Sequence, residues 1–157
     1  MNKSRMEAFS DGVFAILITI MVLELRAPRG AEFSDLAAVV PVFLGYAMSF
    51  VYLAIYWNNH HHMLQAVKSV DGASLWANHL LLFWLSLFPF ATAWMDESHF
   101  SPVPVAVYGV PLLLASLCYS LLCSRLIRHN GHDSTLARVL ARDWKARIST
   151  FAYVAAI

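Results

Sequence analysis

Hydrophobic positions in this chain come in long blocks, not in alternation. Residues 36–67, 72–95 and 98–124 contain no Asp, Glu, Lys or Arg. At about 1.5 Å of rise per residue, each block crosses a hydrocarbon core of about 30 Å as a helix. A further apolar stretch, residues 12–23, follows the charged opening "RMEAFSD". It predicts a helix over about residues 5–25 that stops before Pro28. "RISTFAYVAAI" at the C-terminus begins another helix, about half a bilayer long. A β-barrel would show short alternating segments instead. The pattern therefore predicts an all-α, polytopic membrane bundle forming a single transmembrane domain over residues 1–157. Its spans fall at about 5–25, 36–66, 72–95, 101–125 and 147–157, the last one partial.

Composition agrees. The chain is 59% hydrophobic and 13% charged, against about 25% charged in soluble domains. A net charge of +1 makes no case for a nucleic-acid partner. There is no Gly-rich phosphate loop and no nucleophile constellation, so no enzyme is expected. The distribution of charge is more informative. With alternating spans, nine of the eleven basic residues fall on one side and only Arg26 and Arg29 on the other. The positive-inside bias then predicts a cytoplasmic N-terminus in the cell (inner) membrane. Lys3 and Arg5 imitate a signal-peptide n-region, but Glu7 and Asp11 are out of place there and no small-x-small cleavage site follows. Pro102, Pro104 and Pro111 mark the start of the fourth span and a kink. Leu136, Val139 and Leu140 give the basic segment after it the spacing of an interfacial helix on anionic lipid.

Asp11 at the edge of the bilayer is costly and calls for a partner. Arg5 is six residues away, about 240° around a helix, so each of the two is expected to pair with another helix. Alternating topology brings Arg5, Ser10, Asp11, His60, His61, His62, Asn78 and His79 to one depth on one side. Three readings of the histidine run stand side by side. It is a solvated helix cap, a metal site, or part of a buried hydrogen-bond network with Trp57 on the same helical face. Adjacent histidines lie about 100° apart, which limits the metal reading to one or two ligands. Along the first helix, Gly12, Ile16, Thr19 or Ile20, and Leu23 form a stripe of the kind that packs helices together.

"RMEAFSD" fits the R-x-x-x-F-S-D signature of the transmembrane protein 175 family of potassium channels, with Arg5, Phe9, Ser10 and Asp11 matching. "YWNNHH" and "LWANHLLLFWLSLFPF" resemble that family's second and third helices, so similarity runs over about the first 95 residues. The resemblance implies one repeat of about six transmembrane helices, a homotetramer in the lipid bilayer, and a pore lined by the first helix. It implies permeant K⁺ among monovalent cations and no cofactor. Ile16 then corresponds to the hydrophobic constriction and Thr19 to a hydroxyl layer, with Ile20 and Leu23 beyond. The structural polar network is expected to comprise Arg5, Phe9, Ser10, Asp11, Trp57, His60, His61 and Asn78. Arg5 and Asp11 are expected to stay off the conduction path. Alternative functions are a proton-coupled or proton-leak transporter, which would need an ionisable group near the bilayer centre, and a histidine-based haem or metal membrane protein.

Overall fold

The computed structural model describes residues 3–131 and 133–141. They form α1 (Lys3–Val22), a short 3₁₀ helix (Phe33–Ala38), α2 (Val40–Gln65), α3 (Gly72–Leu85), α4 (Phe88–Glu97), α5 (Pro102–Asn130) and α6 (Thr135–Ala141), with no strand among the described residues. This is the all-α membrane bundle that the apolar blocks predict. Residues 40–65, 72–97 and 102–130 are long and apolar enough to cross a membrane. The partial span at 147–157 lies outside the described residues, as do the side chains of Val139 and Leu140.

Three boundaries differ from the sequence pattern, each for a local reason. The α-helix of the first stretch ends at Val22. Leu23, Glu24 and Leu25 instead donate to carbonyls three residues back, at 3.1, 3.3 and 3.1 Å, tightening the last turn in the usual way at a helix end. The third apolar block is broken at Ser86–Leu87 into α3 and α4. Pro89, in the first turn of α4, has no N–H for the helix ladder, and Ser86 Oγ bonds back to Phe83 O at 2.7 Å. The fourth block runs on to Asn130, with Pro102 at its start and Pro111 inside it.

α5 packs chiefly along α3, and α2 against α1 and α4. One end of the bundle gathers the start of α1, the end of α2, the start of α3 and the end of α5. Lys3 Nζ donates to Leu64 O and Val67 O, both at 3.0 Å, capping one of the last carbonyls of α2 and one just beyond its end. Asn130 Oδ1 accepts from the backbone of Lys68 at 3.0 Å, and its Nδ2 donates to Ser69 O at 3.0 Å. At the other end α4 meets α5 through His99 and Phe100, both at positive φ (53° and 57°), which reverses the chain in a short turn.

Asp71 caps α3, accepting from Ser74 N at 2.9 Å and Ser74 Oγ at 2.6 Å. The Ser74 hydroxyl, with the Ser74 amide, holds the Asp71 carboxyl below its ordinary value. Its contribution is therefore present above the unfolded carboxylate range and is lost as pH falls through the lowered value. Asp71→Ala should cost about 1 kcal/mol, read as a lower Tm in detergent. The gap from wild type should close as the pH is brought into the acid range.

Candidate functional site

α1 has two faces, and the spacing of its side chains separates them. Met6, Ser10, Phe14, Leu17 and Met21 recur every three to four residues and are buried. Ser10 is the polar member of that face, and it ends a directional chain. Its Oγ donates to Met6 O at 2.8 Å, so it must accept from Asn78 Nδ2, 3.0 Å away. The Asn78 amide is thereby oriented with Oδ1 toward His60 Nε2, at 2.7 Å. Oδ1 can only accept, so His60 carries a proton on Nε2. His60 Nδ1 is buried and accepts no hydrogen bond from the described residues. The Phe14 ring lies near it, with centroids 5.9 Å apart. Three helices are joined by two hydrogen bonds in series, anchored by a third within α1.

A second, more exposed group lies beside this chain. Trp57 Nε1 donates to Asp11 Oδ1 at 2.9 Å. The Trp57 ring stacks on His61, with centroids at 5.7 Å and planes 20° apart. His61 Nδ1 is 3.4 Å from Glu7 Oε1, out of hydrogen-bond alignment, and its Nε2 is 2.7 Å from Gln65 Nε2. Phe9 meets the His79 ring at 5.6 Å. Ser10, Asp11, Trp57, His60, His61 and Asn78 are thus brought together at one end of the bundle, in two groups. Among the described residues no three His, Cys, Asp or Glu side chains are arranged to hold a metal ion.

Arg5 is placed differently from expectation. It is exposed, and no ion pair within the described residues includes it. Helical phase explains this: Arg5 and Ile16 are eleven residues apart, about 20° around the helix. Arg5 therefore shares the face of Phe9, Gly12 and Ile16, and the expectation that it stays off that face does not hold. Asp11 does turn away, toward α2.

The second face of α1 is apolar and uncovered within the subunit. Ile16 is 58% exposed, Ile20 44% and Leu23 74%. Ile16 lies about 120° around the helix from Ser10, the centre of the packed face. Thr19 is exposed as well, and its Oγ1 donates to Ile16 O at 2.9 Å. Leu23 follows the end of the α-helix, so it is not on a regular stripe with Ile16.

Two features were not among the sequence candidates. Ser49 Oγ lies 2.7 Å from Thr92 Oγ1 and 3.0 Å from Tyr108 OH, a buried hydroxyl cluster tying α2, α4 and α5 together. The other is Glu7, whose signal was its spacing of four from Asp11.

The family model described as "Endosomal/lysosomal potassium channel TMEM175" matches residues 5–89. A protein named as a potassium channel from Chryseobacterium sp. (strain P1-3) is 51% identical over 157 residues, covering 100% of this chain and 82% of its own. One from Streptomyces collinus (strain DSM 40733 / Tue 365), also named as a potassium channel, is 37% identical over 141 residues, 84% of this chain and 68% of its own. The crystal structure of a lysosomal potassium-selective channel TMEM175 homolog from Chamaesiphon minutus matches with a TM-score of 0.83 at 31% identity, over 98% of this chain and 83% of that one. This chain is a multi-pass membrane protein of the TMEM175 family.

Proposed function

We propose that the chain is the subunit of a potassium-selective cation channel, in which four copies assemble around α1 and ions pass along its uncovered face. The observation that carries this reading is the division of α1 into two faces. One is fully packed and hydrogen-bonded within the subunit. The other presents Ile16 and Ile20, which the subunit leaves largely exposed. Relatives named as potassium channels support the ion. The N-terminus faces the cytoplasm in the cell membrane, because the bundle end that holds Lys3, Arg5, Lys68, Arg125 and Arg128 is the basic one.

In this reading Ile16 is the constriction. A ring of isoleucine side chains narrows and dries the path, and hydrophobic constrictions can gate by dewetting. Thr19 supplies oxygens one turn further on. Potassium sheds water more cheaply than sodium, so a narrow apolar neck penalises it less. The chain His60–Asn78–Ser10, with Asp11–Trp57 beside it, holds the first turns of α1 in register against α2 and α3. Arg5 lies at the cytoplasmic mouth on the pore side or against a neighbouring subunit.

Purified protein in liposomes should pass K⁺ faster than Na⁺. Equal fluxes in wild type would remove the proposal. Ile16→Asn should raise K⁺ flux and bring the two ions closer together. If it left conduction unchanged, the constriction would lie elsewhere on α1.

Thr19→Val removes a hydroxyl at nearly constant shape. K⁺ preference should fall without the rise in flux expected of Ile16→Asn, as read from reversal potentials.

Ser10→Ala strands the Asn78 amide in the core, at a cost of about 1–3 kcal/mol. It should lower Tm and the yield of assembled protein while leaving ion preference in the surviving channels intact. A change of preference at unchanged stability would place Ser10 in the path instead.

A further inference from the structure

The end of the bundle away from the hydrogen-bond chain holds a carboxylate that nothing in the fold explains. Asp96, in the last turn of α4, is 4% exposed. Neither of its side-chain oxygens accepts a hydrogen bond from the described residues. Burying an ionised carboxylate without a partner is expensive, and the usual remedies are a donor, a cation or a proton. The position is also a built one. Asp96 lies against Gly45 of α2, where any side chain would collide with the carboxylate.

Asp96 borders a cavity of about 230 Å³, with Glu24, Arg26, Val42, Ala93 and Glu97 among its lining residues. Three acidic groups and one basic group meet there, a net charge of −2. Arg26 forms no ion pair with any of the three among the described residues. The volume exceeds the share of several water molecules, at about 30 Å³ each. A proton alone would need no such space.

We propose that this cavity binds one hydrated divalent cation of the magnesium type, held by Asp96 and Glu24. The charge fits a dication. No three His, Cys, Asp or Glu side chains in the described residues are arranged as a metal cage, which excludes a structural zinc site. It suits an ion that keeps most of its water and binds through one or two carboxylates. The ion would tie the end of α1 to the end of α4. It lies at the end of the bundle opposite His60 and does not depend on which ion the protein conducts.

Mn²⁺ is the probe, titrated into the full chain in detergent at neutral pH with excess KCl and followed by electron paramagnetic resonance. One ion should bind per subunit and be displaced by Mg²⁺. Asp96→Asn should weaken binding by about tenfold or more, and Glu24→Gln by less. Asp133→Asn, near the opposite end, should leave it unchanged. Absence of binding to folded wild-type protein overturns the proposal, as does equal binding by Asp96→Asn. If Asp96→Asn fails to fold, Glu24→Gln decides, and unchanged binding there overturns the proposal. A protonated-carboxyl infrared band at neutral pH that vanishes in Asp96→Asn would show a proton in the ion's place and would overturn it too.

Discussion

A polar side chain buried in a membrane bundle has no water to fall back on, so its partners must come from the protein. Much of this fold can be read from how that requirement is met at one point. Ser10 has a carbonyl to donate to within its own helix, at Met6, and that single bond sets the direction of everything downstream. It turns Ser10 into an acceptor, orients the Asn78 amide, and fixes the His60 proton on Nε2. Each helix involved, α1, α2 and α3, contributes one member. None of the three can rotate or slide without breaking a bond that nothing else would replace. Dispersion between apolar faces would tolerate such a slide, because lipid offers nearly the same contacts.

With one face of α1 committed in this way, the other face is determined by helical geometry. Residues about 120–180° from the centre of the packed face must point outward, and Ile16 and Thr19 are among them. The Asp11–Trp57 bond works at the flank, between the two faces. It keeps the carboxylate near the membrane edge on the α2 side and off the apolar stripe. The charged opening of α1 and its apolar continuation are therefore two parts of one arrangement. The first turns supply directional bonds that set the rotation of the helix, and the later turns use that rotation to present an apolar surface.

The existence of the spans, their alternation and the convergence of Ser10, His60 and Asn78 are legible in the sequence because they follow from the spacing of uncharged blocks. The depth of a residue near a block boundary is a one-dimensional property. Rotation is less legible. The angle between Arg5 and Asp11 alone takes Arg5 off the Ile16 face, yet its angle to Ile16, about 20°, is the one that matters. Leu23 joins the stripe only if an α-helical phase is extended through a last turn that abandons it for i→i−3 bonds. The break at Ser86–Leu87 is signalled by Pro89, but a proline in an apolar block reads equally as a tolerated kink. Ser49, Thr92 and Tyr108 give no signal. They are single hydroxyls 43 and 59 residues apart, and only packing brings them together.

The chemistry of Thr19 bears on the sign of the ion that the proposed pore would take. A threonine hydroxyl facing a lumen can donate or accept, and so is neutral between anions and cations. Here its proton is committed to the carbonyl of Ile16, a common local bond for threonine in helices. What remains for the lumen is a pair of acceptor sites. Four such hydroxyls around an axis would present oxygen lone pairs and no donors, an environment that favours a cation and offers an anion nothing. The same bond anchors Thr19 to the turn that carries Ile16, so the apolar neck and the oxygen layer above it would move as one unit.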